Sequence, residues 1–272
     1  MVATPIGNLG DLSARVAETL RRVDLVAAED TRETRKLVAH VGAETRLVSI
    51  HAHSDRARLD GVIAALIAGQ DVAYCSDAGT PGVSDPGPVL VSLARAQGIP
   101  VIPIPGPSAV ATALAATGWP ADRYVFEGFP PRKGRDREEW LVRVKESAVP
   151  VVCFEAANRT PSLVADLALV VGAGRRILLG REMTKRFEEY RVAEIHQLAI
   201  ELADAELRGE VTLVIEGAPG AKEPVVDRGA AATLASALKR AGVEPSRVAK
   251  ILAEIYQLSR NESYRLAMEE SA

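Results

Sequence analysis

Cysteine is nearly absent. The 272 residues contain two, Cys75 and Cys153, each in an apolar, strand-like run where a cysteine behaves as a small hydrophobe. Two such residues make no disulfide framework, which fits a reducing cytoplasm. Aromatic residues are scarce at 4%, so stacking platforms for single-stranded nucleic acid are not obvious. An excess of charge of one sign is missing too. With 33 basic and 36 acidic residues the net charge is −3, so any polyanion must be met by a local patch. No apolar run is long enough to span a bilayer, and no basic-then-apolar leader precedes the first motif. A soluble, intracellular protein with no membrane partner is expected.

Familiar chemistries are missing as well. The chain has no Gly-Lys-Ser/Thr phosphate loop and no Gly-x-Ser-x-Gly nucleophile elbow. Gly172-Ala173-Gly174 lacks a third glycine and lies between a helix and a strand, the reverse of a dinucleotide fingerprint. His51 and His53 would share one face of a strand, but no third ligand stands nearby, so no metal is expected.

What the chain does have is three Gly/Pro loops. The central one, Ser76-Asp77-Ala78-Gly79-Thr80-Pro81-Gly82-Val83-Ser84-Asp85-Pro86-Gly87, follows the apolar run Val72-Ala73-Tyr74-Cys75. Its glycines and prolines exclude a helix or strand interior and suit a rigid loop at the carboxyl end of a strand, where open α/β sheets bind ligands. The ordinary alternative is a surface turn. Thr4-Pro5-Ile6-Gly7-Asn8-Leu9-Gly10-Asp11 is a second such loop, after a very short strand at Met1-Val2-Ala3. Pro105-Gly106-Pro107-Ser108 is the third, with Ser108 as natural N-cap of the helix that follows.

Around these loops strands and helices alternate. Strands are expected at 25–28, 47–50 and 72–75, with an edge-like strand at 99–104 whose prolines cannot donate to a central ladder. Helices lie between, the first capped by Asp11 or Ser13. This pattern predicts a mostly parallel α/β sheet. Thr117-Gly118-Trp119-Pro120 marks a boundary, giving an N-terminal α/β domain over 1–118 and a C-terminal one over 119–222. The second half reads as strands at 124–127, 149–155, 177–179, 189–192 and 211–215, with helices at 160–171 (Thr160 as cap) and 195–207. A linker at 217–223 leads to a helix-turn-helix-like tail over 223–272, with Ser259 and Glu262 as a capping box.

Basic residues cluster twice: Arg32, Arg35 and Lys36 on the second helix, and Arg132, Lys133, Arg135 and Arg137 in a Gly/Pro loop. A solvated face is the default for each, but both adjoin segments expected to form the crevice.

These residues carry a family resemblance. Thr4-Pro5-Ile6-Gly7-Asn8-Leu9-Gly10-Asp11, Ala28-Glu29-Asp30-Thr31-Arg32, the central loop and Pro103-Ile104-Pro105-Gly106-Pro107-Ser108-Ala109 resemble the signature segments of the ribosomal RNA small subunit methyltransferase I family. Glu127-Gly128-Phe129, Arg132-Lys133 and Gly180-Arg181-Glu182-Met183-Thr184-Lys185 continue the likeness. That family belongs to the tetrapyrrole-methylase-like (class III) methyltransferases. The resemblance implies S-adenosylmethionine-dependent 2′-O-methylation of a cytidine ribose in the decoding region of small-subunit rRNA. It also implies a homodimer and two α/β domains with the cofactor in the cleft between them. Free rRNA and the assembled small ribosomal subunit are both open as substrate.

Carried over position by position, the cofactor would touch Pro5, Ile6, Gly7 and Asn8 in the first motif. Asp77, Gly79, Thr80, Gly82 and Val83 would do so in the central loop, and Ser108 and Ala109 in the third. Phe154, Glu155, Gly217 and Ala218 would close it from the second domain. RNA contacts would be Arg32, Arg35, Lys36, Arg132, Lys133, Arg135, Arg159 and Arg181. Two departures stand out. Family members carry more residues ahead of the first motif, so the first strand is expected to be short here. Glu155-Ala156-Ala157-Asn158-Arg159 also replaces a family pattern of an aromatic, Ser, Pro and His, which leaves Arg159 in the expected site and Asn158 outside it. Asp30 and Lys185 are the candidates for taking the hydroxyl proton; a helix cap and a phosphate contact are their competing roles. The rival functions are a methylase of a porphyrin-like macrocycle, and a non-catalytic RNA-binding module.

Overall fold

Val26, Ala27 and Ala28 are wholly buried, and a strand apolar on both faces belongs in the middle of a covered parallel sheet. The computed structural model describes residues 1–50, 56–172, 174–218, 228–256, 258 and 260–268. In it β1 (Leu25–Ala28) lies between β2 (Arg46–Ser49) and β3 (Val72–Cys75), all parallel. Period-2 alternation sends Val26, Ala73 and Cys75 to one face and Leu25, Ala27 and Tyr74 to the other. Helices α1 (Ala14–Arg22) and α2 (Thr31–His40) cover the first face through Val16, Leu20 and Leu37. Helices α3 (Arg56–Ile67) and α4 (Gly87–Ala96) cover the second through Val62 and Leu90. Ser13 is the residue that caps α1, its Oγ accepting from Val16 N at 3.2 Å. The His51/His53 pair, Ala173, most of the expected linker and Ser259 lie outside the described residues.

The short first strand is a single position. Val2 bridges Cys75 on one side and Ile104 on the other, both in parallel. Ile104 is also all that remains of the expected strand over 99–104; Pro100 and Pro103 cannot donate, so no ladder extends from it. Every element in this sheet sends its carboxyl end toward the same edge.

The second sheet corrects the expectation of a mostly parallel arrangement. Its order is β4 (Val125–Phe126), β5 (Val151–Ala156), β8 (Glu210–Ile215), β6 (Arg176–Arg181), β7 (Glu189–Glu194). Only β4 and β5 run parallel. β6 and β7 form a hairpin, and β8 enters between β5 and β6 antiparallel to both. One face packs against α6 (Arg135–Glu146), α7 (Thr160–Val170) and α8 (Ile195–Leu202) through Trp140, Leu163, Leu167 and Leu198. The other face packs against Ile6, Trp119 and α5 (Ala109–Ala115), whose Val110 and Ala113 meet Val152, Leu178 and Val214. The second sheet is thus covered on this face by the first Gly/Pro loop and α5, and Met1–Pro219 forms one compact unit.

Helix α6 was not legible as such, and it revises the basic loop. Arg135 stands in its first turn, while Arg137 points inward, nearly buried, with Nη2 2.7 Å from Asp166 Oδ2. Thr160 is the first residue of α7 rather than its cap, since its hydroxyl donates to Ala156 O at 3.1 Å. The buried Arg175 guanidinium donates to the carbonyls of Glu216, Lys145, Val144 and Ser147. It ties the end of α6 to both the start of β6 and the end of β8.

The remaining unit, Gly220–Ala272, is helical as expected. Its α9 (Arg228–Arg240), α10 (Pro245–Tyr256) and α11 (Arg260–Met268) enclose a small core of Ala231, Ala235, Val248, Leu252 and Ala267. Among the described residues, no helix is long and apolar enough to cross a membrane. Cys75 and Cys153 are unpaired and buried.

Candidate active site

The three Gly/Pro loops converge, and the bonds that join them are specific. Thr4 and Gly79 exchange backbone hydrogen bonds, Thr4 N to Gly79 O at 2.9 Å and Gly79 N to Thr4 O at 3.1 Å. Thr80 Oγ1 donates to Pro107 O at 2.9 Å, and Ala3 N to Ile104 O at 3.1 Å. The central loop is folded on one carboxylate. Asp85 Oδ2 accepts from Gly82 N and Val83 N, and its Oδ1 from Gly87 N at 2.7 Å and the Tyr74 hydroxyl at 3.3 Å. Burial, then the Asp85 charge, pushes the Tyr74 phenol upward, so it remains a donor.

Together with the second sheet these loops enclose a cleft of about 470 Å³, within the roughly 300–1,000 Å³ range of small-molecule sites. Ile6, Val83, Ala109, Phe154 and Met183 give it an apolar floor; Glu29, Asp77, Asp85, Glu155 and Glu210 make its polar wall acidic. Burial first, and the neighbouring Asp77 charge second, raise the Glu29 carboxyl above its ordinary value. Asp77 is raised for the same first reason. Backbone strain collects here as well. Among the described residues, the non-glycine residues with positive φ are Ser84, Glu182 and Thr184; Ser84 lines the cleft and the other two flank Met183, which does. Such conformations persist only where surrounding structure enforces them, and they cluster at functional sites.

Nine of the expected cofactor residues line this cleft: Ile6, Asp77, Gly79, Thr80, Val83, Ser108, Ala109, Phe154 and Glu155. Ser108 holds the N-cap position of α5 with no side-chain bond to the helix. Pro5, Gly7, Asn8 and Gly82 lie in the stitched loops without lining it. A Cβ on Gly7 would overlap Lys185 Cγ, and Asn8 caps a single 3₁₀ turn by accepting from Gly10 N. Gly217 and Ala218 are elsewhere. Because β8 is antiparallel to β5, its first residues, Glu210 to Thr212, face the cleft, and Gly217 lies some 20 Å along the strand direction. There a Cβ on it would overlap the Ala148 carbonyl, and Ala218 N donates to Ser147 O.

The two expected proton acceptors are committed to other work. Asp30 caps α2, accepting from Arg32 N at 2.8 Å, and pairs with the Arg32 guanidinium at 2.6 Å. The Arg32 hydrogen bonds hold its pKa down to about 2. Lys185 Nζ donates to Glu182 Oε1 at 2.9 Å and Glu210 Oε2 at 2.7 Å. Burial works against its ammonium, but these carboxylates outweigh it and hold the proton more tightly than usual. Glu29, one residue before Asp30, is the carboxylate that faces the cleft. Sequence spacing holds the signal in retrospect, since consecutive residues leaving a strand point to opposite sides. Met183 and Thr212, also missed, reach the cleft by tertiary placement. Thr212 pairs with both Phe154 and Gly180, and the missing side chain of Gly180 is the space that Met183 fills.

Of the expected RNA contacts, Arg159 is paired with the buried Glu155, and Arg181 with Glu189 at 2.9 Å. Arg32, Lys36 and Arg135 pair locally with Asp30, Glu33 and Glu139. Arg35, Arg132 and Lys133 are exposed and have no carboxylate partner among the described residues.

A sequence profile of the tetrapyrrole (corrin/porphyrin) methylases matches residues 1–199. The cobalamin biosynthetic enzyme cobalt precorrin-4 methyltransferase CbiF superposes with a TM-score of 0.62 at 14% identity, over 79% of this chain and 92% of that one. The methyltransferase CobJ does so with 0.58 at 16%, over 79% and 91%. The fold is that of the tetrapyrrole-methylase class. Proteins named ribosomal RNA small subunit methyltransferase I match nearly end to end: 40% identical in Xylella fastidiosa (97% of this chain, 96% of that one), 38% in Escherichia coli O157:H7 (99% and 94%) and 41% in Pseudomonas aeruginosa (99% and 96%). The chain belongs to the ribosomal RNA small subunit methyltransferase I family.

Proposed function

We propose that this protein transfers a methyl group from S-adenosylmethionine to the 2′-hydroxyl of a cytidine in small-subunit rRNA, acting as a cytoplasmic homodimer. The observation that carries the reading is the stitched cleft, with its apolar floor and acidic wall, in a chain whose near-full-length relatives are named for this activity. The residues fit the cofactor. A sulfonium is cationic, so Asp77, Asp85 and Glu29 suit its charge, while Ile6, Val83 and Met183 suit its apolar body. Gly79 supports the fit: at φ +79° it presents bare backbone to the cleft, and a Cβ there would lie 3.2 Å from Ile6 Cγ2.

When bound, S-adenosylmethionine supplies an activated methyl on sulfur. The protein's own task is then alignment and exclusion of water. The loop bonds through Thr4, Gly79, Thr80 and Pro107 fix one wall; Phe154, Met183 and Thr212 fix the other. Glu29, whose carboxyl burial raises above its ordinary value, takes the hydroxyl proton. Asp30 fixes the start of α2 beside it, its backbone N–H donating to Asp77 Oδ1 at 2.7 Å, and Lys185 holds the 182–185 turn in register with β8. The acidic wall repels phosphate, so the RNA backbone is held outside the cleft by Arg35, Arg132 and Lys133.

Ribose methylation mapped in rRNA from cells with and without the gene tests this reading. A cytidine 2′-O-methyl that disappears on deletion, and returns when purified protein and cofactor are added to the unmodified small subunit, is the expected result. An unchanged methylation map would sink it.

A further inference from the structure

The chain has four phenylalanines, and three of them form a ladder at the cleft. Phe126 and Phe154 meet edge to face with ring centres 4.8 Å apart, and Phe154 meets Phe129 likewise at 5.6 Å. Phe154 sits in the wall, but Phe129 lines the cleft and is 56% exposed. A single exposed apolar side chain is unremarkable in itself. This one, however, is held out rather than merely left out. Gly128, at φ +64°, turns the chain after β4, and its carbonyl accepts from Phe154 N at 2.8 Å. The ring is thereby backed by Phe154 at an interplanar angle of 63°, and more than half of the residue is left open to solvent at the cleft.

The surroundings say what that ring meets. Inside lies the acidic wall, which excludes a phosphate chain. Three and four residues onward along the chain stand Arg132 and Lys133, exposed and without carboxylate partners among the described residues. An apolar π-face between a cationic stretch and a small cleft matches one nucleotide of a single strand: phosphates outside, ribose at the opening, base on the ring.

We propose that Phe129 is the stacking platform for the base of the target nucleotide, a positioning residue that turns its ribose toward the cleft. This rests on the rRNA methyltransferase reading. Stacking on a π-face is tolerant of base identity, so the platform positions the nucleotide while other contacts choose the base.

The test compares wild type, Phe129→Leu and Phe129→Trp in methyl transfer to unmodified small ribosomal subunits. Leucine keeps an apolar side chain and removes the π-face. It should raise KM for the subunit on the order of 10-fold, with the S-adenosylmethionine Kd within about twofold and the melting temperature unchanged. Tryptophan should restore KM. Its emission should also be quenched on adding a cytidine-containing single-stranded oligoribonucleotide, a signal distinguishable because Trp119 and Trp140 are 8% and 1% exposed. A leucine variant with wild-type KM would overturn the proposal. So would one whose cofactor affinity falls instead, because the ring would then belong to the cofactor wall. Wild type that fails to methylate the subunit would strike the rRNA reading itself and the platform with it, whereas active wild type with an unaffected leucine variant strikes the platform alone.

Discussion

Glu29 and Asp30 are neighbours with opposite electrostatic histories. Asp30 gains the α2 backbone and the Arg32 guanidinium, so its carboxyl titrates near 2. Glu29 gains burial and a like charge, so its carboxyl is raised above 4.5. The two shifts make opposite statements about pH. The interaction that Asp30 contributes to folding is fully present above its ordinary value of 3.8 and is lost as pH falls toward 2. Glu29 binds its proton more readily when folded, so it disfavours the folded state above its raised pKa and ceases to do so as pH falls through it. For catalysis the sign is simple: a proton acceptor must be ionised, so the rate declines on the acid side of the raised value. We expect kcat/KM to show an acid limb centred above pH 4.5, and Glu29→Gln to lower kcat by roughly 10²–10⁴-fold and abolish that limb. Asp30→Asn should leave the limb in place while weakening the cap. A pH–rate profile decides between them, and an acid limb that survives in Glu29→Gln removes Glu29 from proton transfer.

Loops and strands carry the next level. Gly79 and Gly82 look equivalent in sequence, and both have positive φ, but they differ in what surrounds them. A Cβ on Gly79 crowds Ile6 at the cleft floor, whereas nothing lies within 4 Å of one on Gly82. Gly79→Val should therefore abolish S-adenosylmethionine binding in calorimetry. Gly82→Ala should bind it and lose only about 1–2 kcal/mol of stability to left-handed strain; equal losses of affinity would show that loop strain, not space, governs the site. Arg175→Met tests the other end of the second sheet. Four carbonyls lose a shared donor, a cost on the order of 3 kcal/mol, or roughly 6–12 °C of melting temperature for a unit this size. A shift under 2 °C in a thermal melt would mean that water replaces the guanidinium. Much of this level was legible beforehand, because glycine and proline punctuate loops by backbone chemistry alone: the segments around Thr4, Gly79 and Pro107 stand where their composition put them. Helix α6 was not, because its apolar positions Trp140, Leu141 and Val144 are diluted by Arg135-Asp136-Arg137-Glu138-Glu139. Nor was the direction of β8, because an apolar run reads the same in either sense; Gly217 and Ala218, which the resemblance put against the cofactor, stand at the end of that strand away from the cleft lining. Spacing alone puts Glu29 and Asp30 on opposite sides of the strand end, but which of the two turns toward the cleft depends on the strand's register, which composition does not give.

At the scale of the whole molecule the problem is how a chain of net charge −3 holds RNA beside an acid-lined cleft. The answer has to be spatial separation of sign. The carboxylates Glu29, Asp77 and Asp85 are gathered in the cleft, where on the proposed reading they attract a cationic cofactor and repel phosphate. Half of the exposed arginines and lysines at the expected RNA surface, Arg32, Lys36 and Arg135, are neutralised by local acidic partners, and exposed pairs of this kind contribute little. Arg132 and Lys133 are not so paired, and the Gly134 that follows them has positive φ, which sets them on a turn ahead of α6. Phosphate contacts release condensed counterions, so each lost contact should reduce the slope of log affinity against log salt by about 0.7–0.9. Replacing Arg132 and Lys133 together by alanine should flatten the slope by up to twice that and weaken RNA binding at low salt. Cofactor affinity should stay within about twofold, since the residues lining the cleft are left intact. Replacing Arg32 and Lys36 instead should change the slope little, because those charges are already answered by Asp30 and Glu33. A filter-binding titration with unmodified rRNA, run on both double variants, separates the two patches: equal slopes in all three proteins would mean that RNA is held by neither.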